Sequence, residues 1–142
     1  MGSDKRILAL DYGVKRIGVA VSAPLGFFTQ PLAYIPNKNP SQVIEELNHI
    51  IKERTISFIL LGLPKRTDET IGPEAEKVIE FGKVLETRCG IEVKFYDESY
   101  STKDAEEILI NELNLSRKKR KEVIDSMAAC LILNSYLRSL KT

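Results

Sequence analysis

Lys5-Arg6-Ile7-Leu8-Ala9-Leu10-Asp11, Tyr12-Gly13-Val14-Lys15 and Arg16-Ile17-Gly18-Val19-Ala20-Val21-Ser22 follow one another without interruption, and they decide the fold. Two aliphatic, β-branched-rich runs flank a four-residue connection, the pattern of two antiparallel strands joined by a hairpin. Gly13 can supply positive φ to that connection. The first run ends on an acid, Asp11. The second contains Gly18, which in a strand marks either the close approach of a ligand backbone or room for a packed side chain.

Working outward, Phe27 to Ile35 reads as a third strand, and Pro24 and Pro31 place it at a sheet edge. Asn39-Pro40-Ser41-Gln42 reads as a helix start, with Asn as N-cap and Pro at the first position. Val43, Ile44, Leu47, Ile50 and Ile51 form the apolar stripe of that helix. Ile56 to Leu61 is a continuous apolar run, as expected of a strand buried on both faces. Gly72-Pro73 opens a second helix with Ala75, Val78, Ile79, Gly82 and Leu85 on one side, and Ile91 to Tyr96 is a fifth strand. Ser101, with Asp104 three residues on, begins a third helix whose Ile108 and Leu109 face the core. A long helix from about Lys119 to Leu140 closes the chain. The order βββαβαβαα predicts an α/β fold: a mixed five-stranded sheet, three antiparallel strands first and parallel βα units after, flanked by helices.

The 142 residues suit one domain spanning 1–142. Hydrophobic residues at 43% and charged residues at 29% exclude a disordered chain. Two cysteines, Cys89 and Cys130, are too few for a disulfide framework and form no zinc-binding pair, so a reduced, intracellular setting is expected rather than secretion. No apolar stretch approaches the ~18 residues of a membrane span, and Met1-Gly2-Ser3-Asp4-Lys5-Arg6 has no signal core. The net charge of +1 does not announce a nucleic-acid binder, so the distribution of charge has to decide.

Functional side chains in such sheets gather at the carboxyl ends of strands. The first strand ends at Asp11, the fourth in Gly62-Leu63-Pro64 and the fifth in Asp97-Glu98-Ser99; Asp125 lies in the last helix among small and apolar residues. If Asp11, Glu98 and Asp125 converge, two carboxylates at about 5 Å repel by roughly 3 kcal/mol at an effective dielectric near 20. The one histidine, His49, lies in the distant first helix, so the cluster holds either protons or a hard cation. Oxygen-only ligation selects Mg²⁺ or Mn²⁺ over zinc, and such ions activate water against a phosphodiester. Each acid alone has a plainer reading: Asp11 as a turn acceptor, Glu98 as a solvated loop residue, Asp125 as the ion-pair partner of Arg16 or a nearby lysine.

Lys15 and Arg16 follow the first acid, Lys65 and Arg66 follow Gly62-Leu63-Pro64, and Arg117, Lys118, Lys119, Arg120 and Lys121 precede Asp125. The middle helices are acid-rich by contrast. Cations thus collect in loops around the candidate site, a footprint for nucleic-acid phosphates that competes with a merely solvated run. Tyr12 and Tyr100 can stack on bases or pack at the rim. Ser22 and Ser99 lack a histidine partner for serine hydrolysis, and neither a GxGxxG nor a Walker motif is present.

Leu10-Asp11-Tyr12-Gly13-Val14-Lys15-Arg16-Ile17-Gly18-Val19-Ala20, Gly62-Leu63-Pro64, Asp97-Glu98 and Ile124-Asp125-Ser126-Met127-Ala128-Ala129 together resemble the YqgF family, also called RuvX. These are small bacterial ribonuclease H-like proteins described as pre-16S rRNA nucleases or Holliday-junction resolvases. The likeness runs from about residue 5 to 140, with the motifs in order. It implies a three-layer ribonuclease H-like fold, a cytoplasmic location and divalent-metal hydrolysis of phosphodiesters in 16S rRNA maturation. It also places Asp11, Glu98 and Asp125 on the family's acidic positions, with Asp97 a further candidate metal ligand. The chain departs from the pattern at Ser99, where the family carries an arginine, and at Ala23 and Glu69.

The expected function is therefore a Mg²⁺- or Mn²⁺-dependent endonuclease on structured RNA, the 16S rRNA precursor, with no membrane partner and a monomeric or homodimeric state. Resolution of branched DNA junctions is the alternative within the same chemistry. A nuclease-inactive nucleic-acid-binding factor is the alternative outside it, prompted by Ser99. An actin-like or sugar-kinase-like ATPase, whose phosphate hairpin Asp-x-Gly resembles, is opposed by the short single domain.

Overall fold

In the computed structural model, which describes residues 6–23, 28–64, 72–97 and 103–140, strands β1 (Arg6–Tyr12) and β2 (Arg16–Ser22) form the expected hairpin. β3 (Thr29–Pro36) pairs with β2, and β4 (Ile56–Leu63) and β5 (Glu92–Asp97) add on the other side of β1. The sheet order is β3-β2-β1-β4-β5. Only β2 runs against the others, because its two pairings are antiparallel while β1–β4 and β4–β5 are parallel. The carboxyl ends of β1, β4 and β5 therefore point to one end of the sheet. β3 is an edge strand as expected; its Pro31 sits opposite Ala20 and needs no ladder donor on its open side.

The pleat divides the core. Leu8, Leu10, Ile17, Val19, Ile59 and Leu61 face one way, onto α1 (Pro40–Glu53) and α2 (Pro73–Cys89). Ile7, Ala9, Ala20 and Leu60 face the other way, onto α3 (Lys103–Glu112), α4 (Arg117–Val123) and α5 (Met127–Ser139). Each large aliphatic side chain removed from water contributes about 1.5–3 kcal/mol, and both faces are covered, which is why the central strands read as unbroken apolar runs. Asn39 caps α1 as expected, its side chain accepting from Ser41 N at 3.0 Å and Gln42 N at 3.4 Å.

Four local expectations are corrected. Gly13 is not in the left-handed region; it is needed because a Cβ there would lie 2.5 Å from the Arg16 carbonyl oxygen. Ile108 is 60% exposed, and the core-facing residues of α3 are Ile110 and Leu109. The last helix is not continuous: α4 ends at Val123, a 3-10 turn covers Ile124–Ser126, and α5 follows. The cations Arg117 to Lys121 form the body of α4 rather than a loop, with Ser116 as N-cap. Phe27, Ser101 and Tyr100 lie outside the described residues.

Candidate active site

Asp11 stands opposite Gly18 in the β1–β2 register, on the face covered by α5. Gly18 leaves a gap that the chain fills with its own backbone. A Cβ built there would lie 2.6 Å from the carbonyl oxygen of Asp125, 3.3 Å from Ser126 Cα and 3.5 Å from Asp11 Cβ. Of the two readings of this glycine, close backbone approach holds, with the approaching backbone that of residue 125 rather than a ligand. The consequence is direct: the 3-10 turn is seated on the sheet beside the end of β1, with the backbone of Asp125 near the Cβ of Asp11.

Ser126 fastens the turn. The β2–β3 register pairs Ile17 with Ile35 and Val19 with Leu32, so Gly18 faces two residues, Ala33 and Tyr34, in a β-bulge. At that break the Ser126 hydroxyl stands between the strands. It accepts from Val19 N at 3.0 Å and donates to Leu32 O at 2.6 Å. One side chain thus satisfies a buried donor and a partly buried acceptor where the ladder is interrupted. Ser22 does comparable work at the other end, accepting from Ile7 N at 2.8 Å, and has no catalytic arrangement around it.

Asp125 itself is exposed, its side chain 41% accessible, so the cost of burying a carboxylate does not apply to it. Its carbonyl, not its carboxylate, faces the sheet. Arg16 Nε lies 3.9 Å from Asp125 Oδ2, so the ion-pair partner anticipated from the sequence is present. The contact is long and both groups are half-exposed, and such pairs contribute little. The Arg16 guanidinium lies 5.3 Å from the centroid of the Tyr34 ring. A hydrogen bond to Tyr34, then the charge of Asp125, hold its pKa above the ordinary value, so it stays cationic.

Lys15 is exposed in the hairpin connection, where its carbonyl accepts from Asn37 N at 2.9 Å. Arg117, Lys118, Lys119, Arg120 and Lys121 are all exposed on α4, which packs beside β3 and leads straight into the Asp125 turn. Arg120 donates to Asn111 Oδ1 at 2.8 Å, and Lys119 lies 3.9 Å from Glu122. Asp97 ends β5, about 10 Å across the sheet from β1 by strand spacing, and lines a cleft of about 520 Å³ between β5, α3 and α5. Glu98, Lys65 and Arg66 lie outside the described residues. Tyr12 packs on Phe81 with ring centroids 4.5 Å apart, the rim role rather than base stacking.

Among the described residues no three His, Cys, Asp or Glu side chains surround a point where an ion would sit. Asp11 and Asp125 offer hard oxygen donors. The softer alternatives lie elsewhere: His49 pairs with Glu53 at 2.8 Å on α1, and the Cys130 thiol, pushed up to about 12 by burial, carries no thiolate at neutral pH. That donor chemistry fits Mg²⁺, which is commonly held by one or two carboxylates together with substrate phosphates. Sequence reasoning missed Ser126 as the fastening. Its signal was a serine directly after an acid and before an apolar helix, which also reads as an ordinary cap.

A sheet of order β3-β2-β1-β4-β5 with only β2 reversed, helices on both faces and an acid ending the central strand defines the ribonuclease H-like class. The RuvX family model, described as Holliday junction resolvase, matches residues 5–139, and the chain belongs to that family. A relative from Clostridioides difficile (strain 630), named "Putative pre-16S rRNA nuclease", is 47% identical over 134 residues, covering 94% of each chain. One of the same name from Clostridium novyi (strain NT) is 44% identical over 135 residues, 95% of this chain and 99% of the relative. Among solved structures, T. thermophilus RuvC in complex with Holliday junction substrate superposes with a TM-score of 0.62 at 10% identity over 97% of each chain. Fowlpox virus resolvase with Holliday junction DNA gives 0.57 at 15% identity over 96% of this chain and 99% of that one. These two share the fold.

Proposed function

We propose that the protein is a divalent-metal-dependent endonuclease that cuts structured RNA, with the 16S rRNA precursor as substrate and maturation of its 5′ end as the result. In this reading residues 1–142 are one cytoplasmic nuclease domain. Asp11, Glu98 and Asp125 hold Mg²⁺ or Mn²⁺, with Asp97 contributing. Lys15, Arg16, Lys65, Arg66 and the α4 cations position phosphates. The observation that carries the reading is the seating of the Asp125 turn on Gly18 across from Asp11. The names of the curated relatives support the substrate class.

The chain's own part in the chemistry follows from where each group is anchored. Asp11 is fixed on a central strand paired on both sides, so its carboxylate has little freedom to lose. Asp125 is held by a turn whose neighbour Ser126 is locked to two strands. Arg16, permanently charged beside Asp125, supplies a cation for a phosphate oxygen at the same edge. A divalent metal held by Asp11, Glu98 and Asp125 would supply Lewis-acid polarisation of a phosphoryl oxygen and make an attacking water more acidic. Asp11→Asn keeps size and hydrogen bonding while removing the charge. It is expected to leave the melting temperature near that of wild type and to abolish Mg²⁺- or Mn²⁺-dependent cleavage of precursor 16S rRNA. Undiminished cleavage would overturn the assignment.

A second reading, cleavage of branched DNA, is favoured by the family's description as Holliday junction resolvase. Two symmetric cuts need two sites, so it requires a homodimer. Side-by-side digestion of precursor RNA and a mobile four-way junction separates the two. If both substrates are bound in a salt-sensitive manner and neither is cut, the protein is a binding factor instead, the alternative that Ser99 in place of the family arginine prompts.

A further inference from the structure

Ile124 is 42% exposed although Val123 beside it is fully buried, and it immediately precedes Asp125. Together with Arg117, Lys118, Arg120 and Lys121 it lines a shallow depression of about 690 Å³. Long cationic side chains lay their methylene stems along apolar surface and keep their charged heads in water. The depression therefore combines apolar surface with cationic heads. A lone exposed isoleucine is ordinary. One that shares a depression with four cations of the preceding helix, next to a proposed metal ligand, complements a nucleotide: a flat base flanked by phosphates.

We propose that Ile124 receives a single unpaired nucleotide of RNA adjoining the phosphate to be cut, while the α4 cations hold the flanking phosphates. The inference rests on the nuclease reading for where the cut phosphate lies, but the binding it describes does not require cleavage. Aliphatic side chains, isoleucine among them, serve elsewhere as wedges against unstacked base steps. A base still paired and stacked must be unstacked to reach such a surface, whereas one already unpaired reaches it without that cost. The site therefore prefers a boundary between duplex and single strand over continuous duplex. Both features lie within one short stretch, Arg117 to Asp125, so the preference and the placing of the phosphate are built by the same element.

The experiment compares two RNA duplexes that differ by one unpaired nucleotide, bound to the full chain in EDTA and read by fluorescence anisotropy across a salt series. Wild type is expected to bind the RNA with the unpaired nucleotide about tenfold more tightly, equivalent to about 1.4 kcal/mol. Ile124→Ala should bring that ratio close to one without changing the slope of affinity against salt. Ile124→Met, which keeps an apolar surface, should preserve the ratio. Lys118→Ala should weaken both complexes equally and reduce the slope by about one, the signature of a lost phosphate contact. Equal affinity of wild type for the two RNAs, or an Ile124→Ala protein that keeps the full ratio, overturns the inference. A preserved preference in a chain that leaves precursor 16S rRNA uncut in Mg²⁺ and in Mn²⁺ would refute the nuclease reading and leave this one standing.

Discussion

A methyl group placed on Gly18 should disturb the candidate site from beneath, without touching either carboxylate. The added carbon would lie 2.6 Å from a backbone oxygen, where ordinary contact begins at 3.4 Å, so the turn must retreat by about 0.8 Å. Neither Asp125 O nor Ser126 Cα can swing aside as a side-chain tip can. Overpacking of this kind costs about 1–3 kcal/mol, while the entropy that alanine removes from the unfolded chain returns about 0.4–1 kcal/mol. The net loss is about 1–2 kcal/mol, a fall in melting temperature of about 3–8 °C for a chain of this size. Cleavage should suffer more than stability, because a displacement approaching 1 Å in a positioned group costs about 100-fold in rate. The control is Gly90→Ala. Gly90 caps α2 at φ 61 with nothing within 4 Å of an added Cβ, so the substitution strains the backbone by about 1 kcal/mol far from the acids. Thermal melts and single-turnover cleavage of precursor 16S rRNA on both variants decide the matter. If Gly18→Ala cleaves at the wild-type rate, or if the two variants lose activity in equal measure, the seating of the turn does not organise the site.

Ser126→Ala removes the hydroxyl that bridges Val19 N and Leu32 O, taking the partner from a buried donor and a partly buried acceptor. A loss of about 1–3 kcal/mol is expected by urea denaturation, and hydrogen exchange at the Val19 amide should accelerate; an unchanged Val19 exchange rate would refute the bridging role. Cys130 gives a pH dependence with a definite sign. Burial raises its thiol from 9.0 to about 12, partly offset by a hydrogen bond with Thr29, so the folded state holds its proton where the unfolded state releases it. The stability this provides is complete below pH 9 and is lost as the pH climbs toward 12, at about 1.4 kcal/mol per unit. Cys130→Ala lacks that dependence, so the stability gap between wild type and variant should move against wild type between pH 9 and 10.5 in urea titrations; a constant gap would refute it.

The parts of the molecule that could be read in advance are those whose cause is local. The hairpin of β1 and β2, the Asn39 cap and the doubly buried β4 each follow from a few neighbouring residues, and they stand where expected. The end of the chain behaves differently. From Arg117 to Ser139 the apolar spacing is helical throughout, and nothing within that stretch calls for a break after Val123. The cause is about a hundred residues away: Gly18 and the bulge beside it present an open donor and acceptor, and the chain forgoes a continuous helix so that Ser126 can meet both. Ile108 was misplaced for a related reason, since the rotation of α3 is set by its packing against α5 and not by its own pattern. The same reasoning alters what the acids mean. The apolar neighbours of Asp125 suggest a buried carboxylate in need of a counter-charge, yet it is the carbonyl that faces the sheet, and the carboxylate is exposed beside Arg16. Its tie to Asp11 is one of position, imposed by a glycine and a serine that bear no charge. Substitutions at Gly18 and Ser126 should therefore injure the site as surely as substitutions of the acids, while leaving every proposed metal ligand in the chain.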